Sequence, residues 1–188
     1  SLGDLADEAK LTEKIQNTPL STALGMTEKD GVWYTDAACT EKAAPILSAL
    51  AETEIGRVSV TVPTVKLGYV FGFAPVYAAE EDKTVVGWTE NGQPVTDGLR
   101  AALADLTVAD LENEKALTDA CRHVRTGEVL GYTVDENGVW YEDAAMTKKA
   151  SALMQILCPS EVELLSQTVN NTAIGRLLGY TEAPDGTW

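Results

Sequence analysis

Apolar residues return every three or four positions in three stretches: Ala43, Ile46, Leu47 and Leu50; Leu99, Ala102, Leu103 and Leu106; Ala150, Leu153, Met154 and Leu157. That spacing puts one apolar stripe along an α-helix. Thr40, Thr96 and Thr147 precede the stripes and suit N-caps. A second set of helix starts follows at Thr53, Thr107 and Ser160, with Ile55, Leu111 and Val162 in register. Leu111 continues through Leu117 and Cys121, as Leu5 does through Leu11 and Ile15. Residues 58–62, Val-Ser-Val-Thr-Val, favour a strand by β-branching alone. Their counterpart at 165–169, Leu-Ser-Gln-Thr-Val, reads as helix, and that parallel predicts helix for both.

The parallel extends along the chain. Leu24-Gly25-Met26-Thr27 leads to Asp30-Gly31-Val32-Trp33-Tyr34, and Leu130-Gly131-Tyr132-Thr133 leads to Gly138-Val139-Trp140-Tyr141. Leu178-Gly179-Tyr180-Thr181 leads to Asp185-Gly186-Thr187-Trp188, and a degenerate copy joins Phe71-Gly72-Phe73 to Val86-Gly87-Trp88. Gly25, Gly72, Gly131 and Gly179 recur at near-equal intervals, the middle one being the longest. Residues 33–73 align with 140–180 without a gap, with 15 of 41 positions identical. Such periodicity predicts tandem units of about 48 residues. Each would hold two or three short helices, the last of them spanning 172–178 in the final unit and ending at a left-handed glycine, followed by a β-hairpin. The expected fold class is α+β, mostly α. Residues 1–106 form one pair of units with an insertion at 74–83, and 107–188 form a second pair, truncated in its last unit. The start at Ser and the stop at Trp188 suggest a piece of a longer array.

Composition narrows the function. The chain has 188 residues, 29 Asp plus Glu against 14 Lys plus Arg, and a net charge of −15. Residues 1–106 carry 16 acids and 8 bases (−8), and 107–188 carry 13 and 6 (−7), so the acidity is spread evenly. It repels phosphate and argues against nucleic-acid partners and anionic membrane surfaces. The most apolar region, 58–79, is broken by Lys66, Pro63, Pro75 and glycines, so no membrane insertion is expected.

The residues able to carry chemistry are few. Cys39, Cys121 and Cys158 align with Met146, Ile15 and Ala51, which suggests small core residues; a disulfide between two of them stays open. His123 is the single histidine, near a predicted helix end, where a cation suits the dipole. A Ser-His-Asp set or a histidine metal site would depend on that one ring. Asp36 with Asp143, and Asp4 with Asp110, share repeat positions, as capping or turn residues would. No Asp-x-Asp-x-Asp-Gly calcium loop or Gly-rich phosphate loop occurs, and neither a cofactor nor a metal is expected. Two binding surfaces are candidates: the aromatic pairs Trp33-Tyr34 and Trp140-Tyr141 as sugar-stacking platforms, and the insertion with Tyr77, Glu80, Glu81 and Asp82. For the tryptophans, the competing reading is hydrophobic seating of the hairpin.

The Gly-x-Trp-Tyr hairpins are similar, over some ten residues, to bacterial cell-wall-binding repeats. The Leu-Gly-Tyr-Thr and Asp-Gly-x-Trp-Tyr units together resemble uncharacterised tandem-repeat surface or secreted proteins of Gram-positive bacteria. That resemblance implies a location outside the cell or at its surface, and it carries over no catalytic residue. The expected function is a non-enzymatic scaffold, spacer or binding surface for protein or glycan, adjoining neighbouring repeats of a longer chain. The alternatives are a carboxylate-based hydrolase of cell-wall polymer, using the acids of the insertion, or an intracellular helical adaptor.

Overall fold

Tight turns with positive φ set the hairpins. Asp30 and Gly31 lie at φ 53° and 76°, and Asn91 and Gly92 at 52° and 77°, the left-handed pair that matches the twist of two antiparallel strands. The computed structural model describes residues 8–79 and 82–187. It is a mixed α/β structure, 43% helical and 17% strand, with small sheets. The chain divides into two compact units, one formed by residues 1–96 with 104–113, the other by 97–103 with 114–188.

In the first unit, α1 (Glu8–Gln16) and α2 (Leu20–Leu24) precede the hairpin of β1 (Thr27–Lys29) and β2 (Val32–Tyr34). Then come α3 (Pro45–Leu50), α4 (Val58–Thr61) and α5 (Leu67–Val70). The insertion lies in a three-stranded antiparallel sheet, β3 (Ala74–Tyr77), β4 (Val85–Glu90) and β5 (Gln93–Pro94). The second unit has α6 (Gly98–Leu103), α7 (Glu114–Cys121), α8 (Thr126–Val129), the hairpin β6 (Thr133–Val134) with β7 (Trp140–Tyr141), α9 (Ala152–Leu157), α10 (Leu165–Asn171) and α11 (Ile174–Leu177).

Residues 58–61 are helical, as their counterpart predicted, and α10 begins at that counterpart. The glycines at 25, 72, 131 and 179 all have positive φ and follow short helices. Thr107 caps as expected: its side chain accepts from the Asp110 amide, and Asp110 accepts from the Thr107 amide at 2.8 Å. Asp4 lies outside the described residues.

Thr40 and Thr147 do not cap. Asp36 accepts from the amides of Thr40 (2.9 Å) and Glu41 (3.0 Å) and from the Thr40 hydroxyl. Asp143 makes the same bonds to Thr147 (2.9 Å), Lys148 (2.9 Å) and the Thr147 hydroxyl. The carboxylates take the groups a helix start would use, so α3 begins after Ala44 and α9 after Ser151, whose hydroxyl accepts from the Met154 amide. Cys39 and Met146, inside these loops, are left-handed at φ 53° and 55°, and neither is a core residue. Cys158 alone of the cysteines is buried, and all three are free thiols. Thr96 lies two residues before α6, and the starts expected at Thr53 and Ser160 are 3-10 turns at Ile55–Arg57 and Val162–Leu164. The hairpin expected in 180–188 has no strand among the described residues; a turn closed by the Thr187 carbonyl and the Ala183 amide (2.7 Å) stands in its place.

One three-bond clasp occurs three times. Leu20 and Ser21 donate to the carbonyls of Thr53 and Ala51, and Ile55 donates back to Thr18. Leu67 and Gly68 donate to Leu106 and Ala104, with Val108 donating to Val65. Thr126 and Gly127 donate to Ser160 and Cys158, with Val162 donating to Val124. Each clasp ties the start of a short helix to the end of the next helix, satisfying amides that have no intrahelical partner.

A tryptophan seals two of the three. Phe73, Trp88 and Ala104 form one core, and Trp140, Ala150 and Cys158 another. The rings lie directly on the helix-start glycines. A Cβ on Gly68 would stand 2.5 Å from Trp88, and one on Gly127 2.3 Å from Trp140 and 2.7 Å from the Cys158 Cβ. Gly127→Ala should therefore cost about 3 kcal/mol through overpacking, while Gly25→Ala, with open space around it, should cost only the left-handed penalty of about 1 kcal/mol. Urea denaturation of both variants checks this, and equal losses would contradict it.

Candidate functional site

A cleft of about 1040 Å³ lies within the first unit, between the β1–β2 hairpin, the start of α3, α5 and the insertion sheet. It brings together Trp33 of β2, Tyr69 of α5 and Tyr77 of β3. Two of these are sequence candidates. Tyr69 is not, and nothing in its segment marked it.

Trp33 reaches the cleft because it is not seated as the other tryptophans are. Its backbone sits like theirs: the Trp33 carbonyl accepts from Ala43, Trp88 from Val95 and Trp140 from Ala150, each at 2.9 Å. At the helix start, however, the first clasp carries Ser21 where the others carry Gly68 and Gly127. A ring placed as in those two would collide with the Ser21 Cβ. Ser21 is buried, and Trp33 stays half-buried and borders the cleft.

The tyrosines are held by their surroundings. The Tyr69 ring meets Trp88 edge to face at 5.0 Å, and its hydroxyl lies 3.4 Å from that of Tyr77. Burial, then the Tyr77 hydroxyl, pushes the Tyr69 pKa well up, so it is a neutral phenol. Tyr77 is 38% exposed, with the Lys83 ammonium 5.2 Å from its ring centre, a cation–π distance. Lys66 donates to Asp105 Oδ1 at 2.9 Å, and the Trp88 indole donates to the same oxygen at 3.2 Å. The charged lining is Lys42, Lys66 and Lys83 against Glu28 and Glu52. In a chain with twice as many acids as bases, lysines outnumber glutamates among these lining residues by three to two.

The other candidates lie elsewhere. Trp140 is 1% exposed, with Gly127 against its ring and the Arg125 guanidinium 5.1 Å from its centre, so no sugar can stack on it. The Tyr141 hydroxyl donates to Asp135 at 3.2 Å, committing the ring to its own hairpin. Tyr34 pairs with Thr27 in the first hairpin and is not part of the cleft lining. Asp82 accepts from the Thr84 amide at 2.9 Å, which with the Thr84 side chain lowers its pKa, as in an ordinary turn. Glu80 and Glu81 lie outside the described residues.

His123 follows α7 by two residues. Its Nδ1 lies 3.0 Å from Glu161 and 3.1 Å from Glu163. These three side chains could ligate a divalent ion, their donors lying within 4.8 Å of one another. The Arg122 guanidinium, 3.6 Å from Glu163, is a fixed cation that opposes a second one. A smaller cleft of the second unit, about 520 Å³, is bordered by Arg176, Tyr180 and Glu182.

No family model matches the chain, and no match was found among curated proteins or solved structures.

Two outcomes follow. Ser21→Gly should let Trp33 sink onto the helix start, so the variant should lose acrylamide-quenchable fluorescence relative to the parent, a difference absent in a Trp33→Phe background. Unchanged quenching would rule out Ser21 as the cause. The Thr40 hydroxyl and the Glu41 amide hold the Asp36 pKa below the usual carboxylate value, and the Thr147 hydroxyl and Lys148 amide do the same for Asp143. Because the folded values are depressed, this contribution is complete above about pH 4 and is lost as pH falls through the lowered values. The double variant Asp36→Asn, Asp143→Asn should then lose less Tm than the parent between about pH 5 and pH 3, measured by calorimetry.

Proposed function

We propose that this chain is a non-enzymatic array of related units whose first-unit cleft is a binding surface for glycan or protein. The observation that carries the reading is Trp33. It is the one described tryptophan left half-buried, and it borders the same cleft as Tyr69 and Tyr77. Half-exposed aromatic rings offer flat apolar faces at low entropic cost, the usual means of holding a sugar ring or an extended peptide. The three lysines among the lining residues favour a ligand carrying carboxylates. The thrice-repeated clasp supports the array of units. Each helix-start amide pair is satisfied by the next helix end, a contact of the kind that recurs along repeat proteins.

The carboxylates support a structural use over catalysis. Asp36, Asp82, Asp110 and Asp143 each accept hydrogen bonds from their own turn, and general acid or base work needs a carboxyl free to exchange its proton with substrate. Within this reading the array acts outside the cell or at its surface, as the resemblance to Gram-positive repeat proteins implies.

The test is binding of purified cell-wall glycan and of mucin glycoprotein, followed by calorimetry. Trp33→Ala and Tyr77→Ala should each weaken whichever probe binds by at least tenfold, and Tyr141→Phe should leave its affinity unchanged. If the first two variants bind as the parent does, the cleft is not the binding surface.

A further inference from the structure

The three-bond clasp has a fourth set of groups with no partner among the described residues. Thr18, Val65 and Val124 precede the first three clasped helices. Thr172 stands at the corresponding place before α11, and these four positions recur at the same successive intervals as Gly25, Gly72, Gly131 and Gly179. In the first three places the carbonyl accepts and the two following helix-start amides donate. At the fourth, the Thr172 carbonyl and the Ile174 and Gly175 amides have no such bonds among the described residues. The side chains follow the same division. Of the first residues of the clasped helices, Leu67 and Thr126 are buried and Leu20 is half-buried, whereas Ile174 is 74% exposed.

Apolar exposure and unmet backbone groups thus coincide on one face, and the chain shows three times what covers such a face. We propose that the surface of Thr172, Ile174 and Gly175 docks one further helix end of the kind that the chain supplies at Ala51, Ala104 and Cys158. The occupant has a small apolar residue whose carbonyl takes the Gly175 amide. A carbonyl two residues later takes the Ile174 amide, and an amide four residues later is offered to Thr172. A bulky residue in place of Ala or Cys would hold the two backbones apart, since Ala51, Ala104 and Cys158 are each fully buried. The segment comes from outside residues 8–187, because all three such segments within them are already engaged. This inference rests on the repeated-unit reading above, and it names the partner of one face.

The experiment joins a copy of residues 141–163 directly after residue 188. The offset from Trp140 to Trp188 equals that from Arg125 to Ala173, so the graft arrives at the spacing of the third clasp. Amide hydrogen exchange in the full-length parent and in the extended chain reads the result. Exchange at Ile174 and Gly175 should slow at least tenfold in the extended chain. It should return to the parent rate when the grafted copy carries C158D. Unchanged exchange at both amides, or equal slowing by the C158D graft, overturns the docking. Binding of the glycan or mucin probe, measured on the same samples, reports on the cleft separately, so loss of one result leaves the other standing.

Discussion

The structure depends on how closely an indole ring can approach a backbone. At Gly68 and Gly127 the tryptophan ring lies where a Cβ would stand, closer than any side chain would allow. A buried tryptophan removes roughly 200 Å² of apolar surface from water, worth about 5 kcal/mol before entropy is subtracted. The helices around it are of four to nine residues, too short to persist on propensity alone. It also fixes geometry: the ring holds the hairpin over the helix start, and that position presents the start's amides to the next helix end. The hydrogen bonds of the clasp and the apolar seal therefore form together, which is why short helices with no side-chain cap can persist here.

The first clasp shows what happens when the approach is blocked. Ser21 keeps the backbone hydrogen bond to Ala51 and so preserves the unit, but it withholds the ring's seat. Part of the hydrophobic stabilisation available at the other two sites is given up, and an aromatic surface facing a cleft is gained. The insertion acts on the same place from the other side. Tyr77 comes from β3 and Lys83 from the segment before β4, and neither has a counterpart in the second unit, where β6 and β7 are joined by a short loop. Two departures from the shared pattern, a serine for a glycine and a longer hairpin, thus meet at one cleft.

Much of the framework was legible in the order of residues alone. Asp-Gly and Asn-Gly turns, the glycines after short helices and the Thr107–Asp110 cap are local chemistry, settled between near neighbours in the chain. The helix starts at Thr40 and Thr147 were misread because the deciding group is the upstream carboxylate of Asp36 or Asp143, which captures the threonine before a helix can. The clasps were not legible, since each pairs backbone groups far apart in the chain and backbone groups carry no sequence signature. Tyr69 and the lysines of the cleft were hidden for the same reason. Ser21 was a readable signal. It breaks a column that is glycine at 68, 127 and 175, but its meaning depends on knowing that a ring sits on that column.

The net charge of −15 takes on a different sense once the positions are known. Several of its acids are spent within single turns: Asp36 and Asp143 hold the loops before α3 and α9, and Asp110 completes the Thr107 cap. Such acids are held in place by backbone donors and stay ionised, so they fix local geometry while adding to the negative surface. The lysines are distributed differently: Lys66 bonds an aspartate that also holds the Trp88 indole, and Lys83 lies over Tyr77. Three lysines and two glutamates thus border the cleft where Trp33 is left unsealed, with Lys66 paired to Asp105 and Lys83 over the Tyr77 ring. On the binding reading proposed above, a ligand that presents both an apolar ring face and a carboxylate would meet Trp33 and Lys83 at this cleft and repulsion from the acids elsewhere, so the charge imbalance would direct where an anion settles.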